Sequence, residues 1–133
     1  MMQGMGHSQR VFLADDDDDM RSVMRMALER GGCEVVEARD GAELITLLKK
    51  TSCTATQPDV VVTDVRMPNF SGLGVLRSLR QAGSSLAIIL ITAAPDVAVR
   101  SDALQWGASV LTKPFEMAEL LTAITNAAAS SRV

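Results

Sequence analysis

The chain has 133 residues, 47% of them hydrophobic and 22% charged, which is apolar material for one ordinary core in a single domain. Its formal charge of −3, with 13 basic residues scattered rather than grouped, excludes nucleic-acid binding by bulk attraction. No apolar stretch approaches the roughly 18 residues of a membrane span, the start has no signal-peptide core, and Cys33 and Cys53 lack metal-ligand spacing; a soluble, cytoplasmic protein is expected, with both cysteines as small, partly buried hydrophobes.

Residues 1–9 are polar and Gly-rich, without periodicity, and read as an N-terminal tail. The apolar run Val11-Phe12-Leu13-Ala14 predicts a first strand, and five aspartates, Asp15 to Asp19, follow it directly. From Met20 the apolar positions Met20, Val23, Met24, Ala27 and Leu28 keep the spacing of one helix face, which Gly31-Gly32 ends. A short second strand covers 34–37. Asp40-Gly41 opens a second helix carrying Leu44, Leu47 and Leu48, and polar residues 51–57 form a loop. The run Asp59-Val60-Val61-Val62-Thr63, largely β-branched, has the character of a strand buried on both faces, and it ends at Asp64. Turn residues 67–72 lead into a third helix with Leu73, Leu76 and Leu79 on one side. A fourth strand spans 87–91 and ends at Thr92. Between Pro95 and Trp106 the helical pattern is thin, with Val97, Ser101 and Leu104 in line, so this helix is expected to be the least firmly packed. A fifth strand over 109–111 precedes Lys113-Pro114-Phe115. The last helix shows Met117, Leu120, Leu121, Ile124 and Ala128 at helical spacing and leaves 130–133 as a C-terminal tail. Strands alternating with helices predict an α/β fold around a parallel sheet.

In open α/β sheets, ligands sit outside the carboxyl ends of the strands. Those ends carry Asp15 and Asp16, Asp64, Thr92 and Lys113. The set is chemically coherent: carboxylates for a hard cation, a hydroxyl, and an ammonium to meet an added anion. Asp17 is placed to cap the first helix, while Asp18 and Asp19 favour its positive end.

This ordered set resembles the receiver domain of bacterial two-component response regulators. The matching residues are Asp15-Asp16 after the first strand, Asp64 followed by Met67-Pro68 and Gly72, Thr92-Ala93 after the fourth, and Lys113-Pro114-Phe115 after the fifth. The resemblance implies a flavodoxin-like, doubly wound sheet of five parallel strands in the order 2-1-3-4-5 with five helices, occupying residues 10–129. It implies that Asp64 accepts a phosphoryl group from the phosphohistidine of a sensor histidine kinase or phosphotransfer protein. Asp15, Asp16, Asp64 and the backbone carbonyl of Arg66 would hold Mg²⁺, with Mn²⁺ as the alternative ion suited to the same oxygen ligands. Lys113 and Thr92 would serve the transfer, and Thr92 with Val110 would form the switch pair. Val110 stands where the family usually has an aromatic residue, three positions before the lysine, and Arg66 and Ala94 occupy the positions that tune the lifetime of the phosphorylated form. The protein would act by binding a downstream protein target, without direct nucleic-acid or membrane contact. It would be no enzyme beyond catalysing its own phosphorylation and dephosphorylation.

Three rival readings exist. A degenerate receiver serving as a phosphorylation-independent interaction module is opposed by the intact Asp15, Asp16, Asp64, Thr92 and Lys113. A haloacid-dehalogenase-type phosphatase would need an acid two residues beyond the nucleophile, where Arg66 stands. A calcium loop would need glycine at Met20. His7, the single histidine, lies in the tail and is assigned no chemical role.

Overall fold

The computed structural model describes residues 8–94 and 96–131; most of the expected N-terminal tail, including His7, lies outside them, as do Pro95 and residues 132–133. Ten elements alternate: β1 (Arg10–Ala14), α1 (Asp18–Arg30), β2 (Glu34–Ala38), α2 (Gly41–Thr51), β3 (Val60–Asp64), α3 (Gly72–Gln81), β4 (Ala87–Thr92), α4 (Val97–Trp106), β5 (Ser109–Thr112) and α5 (Met117–Ser131). The helix α5 thus extends two residues into the segment read from sequence as a C-terminal tail. The strands form one parallel sheet in the order β2-β1-β3-β4-β5, as expected.

Period-two alternation along the strands divides the core into two layers. Phe12, Val61, Ile88 and Leu90 face one side, where they meet Leu44 and Leu48 of α2, Val75 and Leu76 of α3, and Val99 and Ala103 of α4. Val11, Leu13, Val60, Val62, Ile89 and Ile91 face the other, against Met24 and Leu28 of α1 and Leu120, Ile124 and Ala128 of α5. Being covered on both faces explains why the three central strands are almost continuous runs of aliphatic residues. The chain passes from β1 outward to β2 and then returns to the other side of β1 for β3, so the winding reverses between β1 and β3. Their carboxyl ends therefore open into a crevice that no crossover helix covers.

Helix starts are fixed by side-chain caps of the expected kind. Asp17 Oδ1 accepts from Met20 N–H at 3.1 Å, Asp40 Oδ1 from Glu43 N–H at 2.8 Å, Ser71 Oγ from Gly74 N–H at 3.0 Å and Asp96 Oδ1 from Val99 N–H at 3.0 Å.

Two local expectations are corrected. The apolar line Val97, Ser101, Leu104 is not the packed face of α4: Val97 and Leu104 are 83% and 86% exposed, and Val99 and Ala103 enter the core instead. Tertiary anchors set that rotation. Asp102 pairs with Arg77 of α3, while Arg80 of α3 donates from Nε to Trp106 O at 2.6 Å and from NH2 to Gly107 O at 3.0 Å. Cys53 is exposed rather than partly buried and adopts φ 60 in the turn after α2. Cys33 is half-buried as expected, and burial pushes its thiol pKa up. Among the described residues no helix is long and apolar enough to cross a membrane.

The reassigned face of α4 is directly testable by urea denaturation. Leu104→Ser is expected to leave unfolding free energy within about 0.5 kcal/mol of the wild type. Val99→Ala is expected to lower it by about 2 kcal/mol, and the reverse ranking would restore the face read from sequence.

Candidate functional site

The strand ends deliver their polar residues to one place because each strand stops where its apolar run stops. Asp15 follows β1 and keeps sheet-like pairing through its N–H to Ala38 O at 3.2 Å. Its Oδ1 accepts from Asp17 N–H at 2.9 Å, which also folds the loop into the α1 cap. Asp64 is the last residue of β3; its Oδ1 accepts from Arg66 N–H at 3.1 Å and its Oδ2 from Lys113 Nζ at 2.9 Å. The turn after Asp64 passes so close that a Cβ at Gly72 would stand 2.4 Å from the Asp64 carbonyl oxygen, so only glycine fits there. Thr92 closes β4 and is buried. Its Oγ1 accepts from Ala94 N–H at 3.2 Å, and its carbonyl accepts from Lys113 N–H at 2.9 Å. The bond between Lys113 and Pro114 is cis.

Asp15, Asp16 and Asp64 each offer a carboxylate oxygen within 4.8 Å of the others. Asp15 and Asp64 are buried while Asp16 is exposed, so the cluster has one open side. Burial is the main cause holding the Asp15 carboxyl above its ordinary range; the bond from Asp17 N–H opposes the rise, and the charges of Asp64 and Asp16 add to it. For Lys113, burial acts to lower the pKa, but the bond to Asp64 and the charges of Asp64, Asp15 and Asp17 outweigh it and the ammonium is stabilised.

A divalent cation fits these residues on three counts. The donors are all oxygens, as a hard ion requires. Lys113 is the one cation bonded to a carboxylate of the cluster among the described residues, so one ammonium faces three carboxylates. Asp15 Oδ2 is buried without a hydrogen-bond partner, and an orphaned buried carboxylate oxygen calls for an ion or water.

Of the sequence-derived site residues, Asp15, Asp16, Asp64 and Lys113 converge as expected. Arg66 is tied to Asp64 through its N–H, and Thr92 is joined through the backbone to Lys113. Val110 does not join them: it lies within β5 opposite Leu90, half-buried against the core layer that contains α3 and α4. Asp17 caps α1 and Asp18 pairs with Arg21 at 2.8 Å, so the aspartate run divides after Asp16. Arg21 itself was not singled out by the sequence reading. It is buried behind the cluster, and NH1 donates to Asp15 O at 2.7 Å. The only available signal was its place one turn past the aspartates, which resembles an ordinary solvated helix face.

Comparison with protein families settles the class, since the model described as the response regulator receiver domain matches residues 11–125. The chain belongs to that family. Among characterised relatives, the response regulator MprA of Mycobacterium sp. (strain KMS) is 40% identical over 113 residues, covering 84% of this chain and 47% of that protein. The chain spans about half the length of the curated relatives it matches. Among solved structures, a response regulator receiver domain protein from Clostridium thermocellum superposes with a TM-score of 0.84 at 28% identity, covering 93% of this chain and 97% of that one. The chemotaxis protein CheY4 of Vibrio cholerae gives 0.79 at 25% identity, covering 90% and 98%. This receiver domain is therefore a signalling component of a two-component system with the flavodoxin-like receiver fold.

The raised Asp15 pKa makes a signed prediction. A carboxyl that holds its proton more tightly folded than unfolded favours folding at low pH, and that contribution is lost as pH rises through the folded pKa. In metal-free buffer at pH 7, Asp15→Asn is expected to melt at a higher temperature than the wild type. The difference should shrink as pH falls toward 3.8, the ordinary carboxyl value. A variant that melts lower at pH 7 would contradict this account of Asp15.

Proposed function

We propose that this receiver domain is a phosphorylation-controlled switch in which Asp64 is the phosphoacceptor. The observation that carries the reading is the Asp64 carboxylate, fixed at a buried strand end by Lys113 Nζ and Arg66 N–H and set beside two further carboxylates. The donor is the phosphohistidine of a sensor histidine kinase or phosphotransfer protein. An Asp64 carboxylate oxygen forms the new bond to phosphorus as the bond to the donor nitrogen breaks, and that electron pair leaves with the imidazole. Asp15, Asp16, Asp64 and the Arg66 carbonyl would hold Mg²⁺, which when bound supplies charge neutralisation for the phosphoryl oxygens. Lys113 supports transfer by moving its ammonium from the Asp64 carboxylate to a phosphoryl oxygen, without a change of protonation.

Thr92 would report the event. Its hydroxyl oxygen now accepts from Ala94 N–H, and turning to donate its proton to a phosphoryl oxygen would give up that bond. Val110 takes the second switch position in β5 as a packing residue, because its side chain has no polar tip. The domain runs from residue 10 to the end of α5, works in the cytoplasm, and passes its signal by binding a protein target rather than by contacting nucleic acid or membrane itself. No observation favours the phosphorylation-independent module.

Incubation with a small acyl phosphate and Mg²⁺, followed by intact mass measurement, tests the proposal. The expected result is a gain of one phosphoryl group, absent in Asp64→Asn and absent when EDTA replaces the metal. Lys113→Ala should slow the gain by roughly a hundredfold. A phosphoryl group retained by Asp64→Asn, or no gain from either the small donor or a cognate kinase, would overturn it.

A further inference from the structure

We infer that Arg21 is a positioning residue for the carboxylate cluster, holding the Asp15 peptide from behind so that a divalent cation meets a preset ligand. The inference rests on the metal site in the proposed function and adds to it the residue that sets its geometry.

Arg21 is 9% exposed, and among the described residues no other lysine or arginine is buried. A guanidinium is rarely taken from water unless its donors are occupied. Here they are occupied in three directions: NH1 donates to Asp15 O at 2.7 Å, Nε to Glu37 Oε1 at 3.0 Å, and NH2 reaches Asp18 Oδ1 at 2.8 Å. Those partners belong to the end of β1, the end of β2 and the start of α1. Because the guanidinium is planar and its donors have fixed angles, it ties these three chain segments together at fixed relative positions. Arg25 Nε, one turn further along α1, lies 3.0 Å from Glu37 Oε2 as an ion pair without hydrogen-bond geometry.

The consequence falls on Asp15. Its N–H is held by Ala38 O, its carbonyl by Arg21, and its Oδ1 by Asp17 N–H. The one polar atom left is Oδ2, the buried oxygen without a partner. A ligand whose every other polar atom is already bonded loses little freedom when a cation arrives, and groups that orient metal ligands typically contribute 10–100-fold in affinity.

Electrostatics alone predicts the opposite sign. Arg21 is a positive charge behind a cation site, so removing it by charge reasoning should tighten the binding of a second cation. Positioning requires that removal weakens it, and the sign decides.

The test is calorimetric titration of the full chain with MgCl₂, comparing wild type, Arg21→Met and Arg21→Lys, each first shown to be folded by its melting transition. Arg21→Met is expected to raise the Mg²⁺ dissociation constant by about tenfold or more. Arg21→Lys keeps the charge and one donor but not the three-way geometry, and should raise it by a smaller factor. In the phosphorylation assay the Mg²⁺ concentration giving half-maximal rate should rise by the same factors, while the rate at saturating Mg²⁺ stays near that of the wild type. Dissociation constants equal to or tighter than the wild type would overturn the inference, even with lowered melting temperatures, because Arg21 would then support the fold alone. If Arg21→Met does not fold, Arg21→Lys decides by the same criterion. A wild-type chain that binds no Mg²⁺ would sink the metal site itself, and this inference with it. Unchanged affinity in the variants beside a binding wild type sinks the positioning role alone.

Discussion

Three carboxylates lie within 4.8 Å of one another against one ammonium, and the rest of the molecule is arranged around that imbalance. At an effective dielectric near 20, each like-charged pair at such a separation repels by about 3 kcal/mol. Lys113 offsets part of this through its bond to Asp64, and burial pushes Asp15 toward keeping its proton. Only a well-anchored frame holds such a group in place, and the frame is the parallel sheet. Asp15 and Asp64 stand at the ends of adjacent central strands whose side chains are buried on both faces. The strands cannot splay to relieve the repulsion without opening two core layers.

The same frame links the cluster to α4, whose buried residues are Val99 and Ala103. Lys113 N–H is bonded to the Thr92 carbonyl, and Thr92 Oγ1 accepts from Ala94 N–H. The Ala94 carbonyl in turn accepts from the N–H of Asp96, which caps α4. Under the proposed function, a Thr92 hydroxyl drawn toward Asp64 would release Ala94 and loosen the approach to α4. That helix rests on Val99 and Ala103 and is tied to α3 through Arg77 and Arg80. Under that reading, hydrogen bonds through Lys113, Thr92 and Ala94, partly side chain and partly backbone, would connect the carboxylates with the start of α4.

The sheet and most of the cluster were legible in the sequence because a strand buried on both faces must be apolar throughout, so the first polar residue after it marks its end. Asp15 and Thr92 are such residues, and Asp64 follows the same rule one β-branched Thr63 later; Lys113, after the half-exposed edge strand β5, was legible only from its place before Pro114-Phe115. The division of the aspartate run after Asp16 was legible from capping chemistry and agrees with Asp17 as the α1 cap. The face of α4 was not legible. Its apolar residues are spread round the helix, with Val97 and Leu104 on one line and Val99 and Ala103 on another, so two stripes compete, and the choice is made by an ion pair and carbonyl bonds to α3 from residues far apart in sequence. Arg21 was hidden for a related reason: an arginine near the start of an acidic helix looks solvated. Its burial follows from Glu37 and the Asp15 carbonyl, which only the tertiary fold brings to it.

The central claim, that this carboxylate crevice makes Asp64 and no other residue a phosphoryl acceptor, is tested most directly by chemical trapping. After phosphorylation in Mg²⁺, borohydride reduces an acyl phosphate to an alcohol, which converts an aspartyl phosphate to homoserine and marks the residue permanently. Peptide mass mapping is predicted to find homoserine at position 64 alone, dependent on both donor and Mg²⁺. Homoserine at Asp15 or Asp16, or a phosphoryl group that resists reduction, would contradict the account.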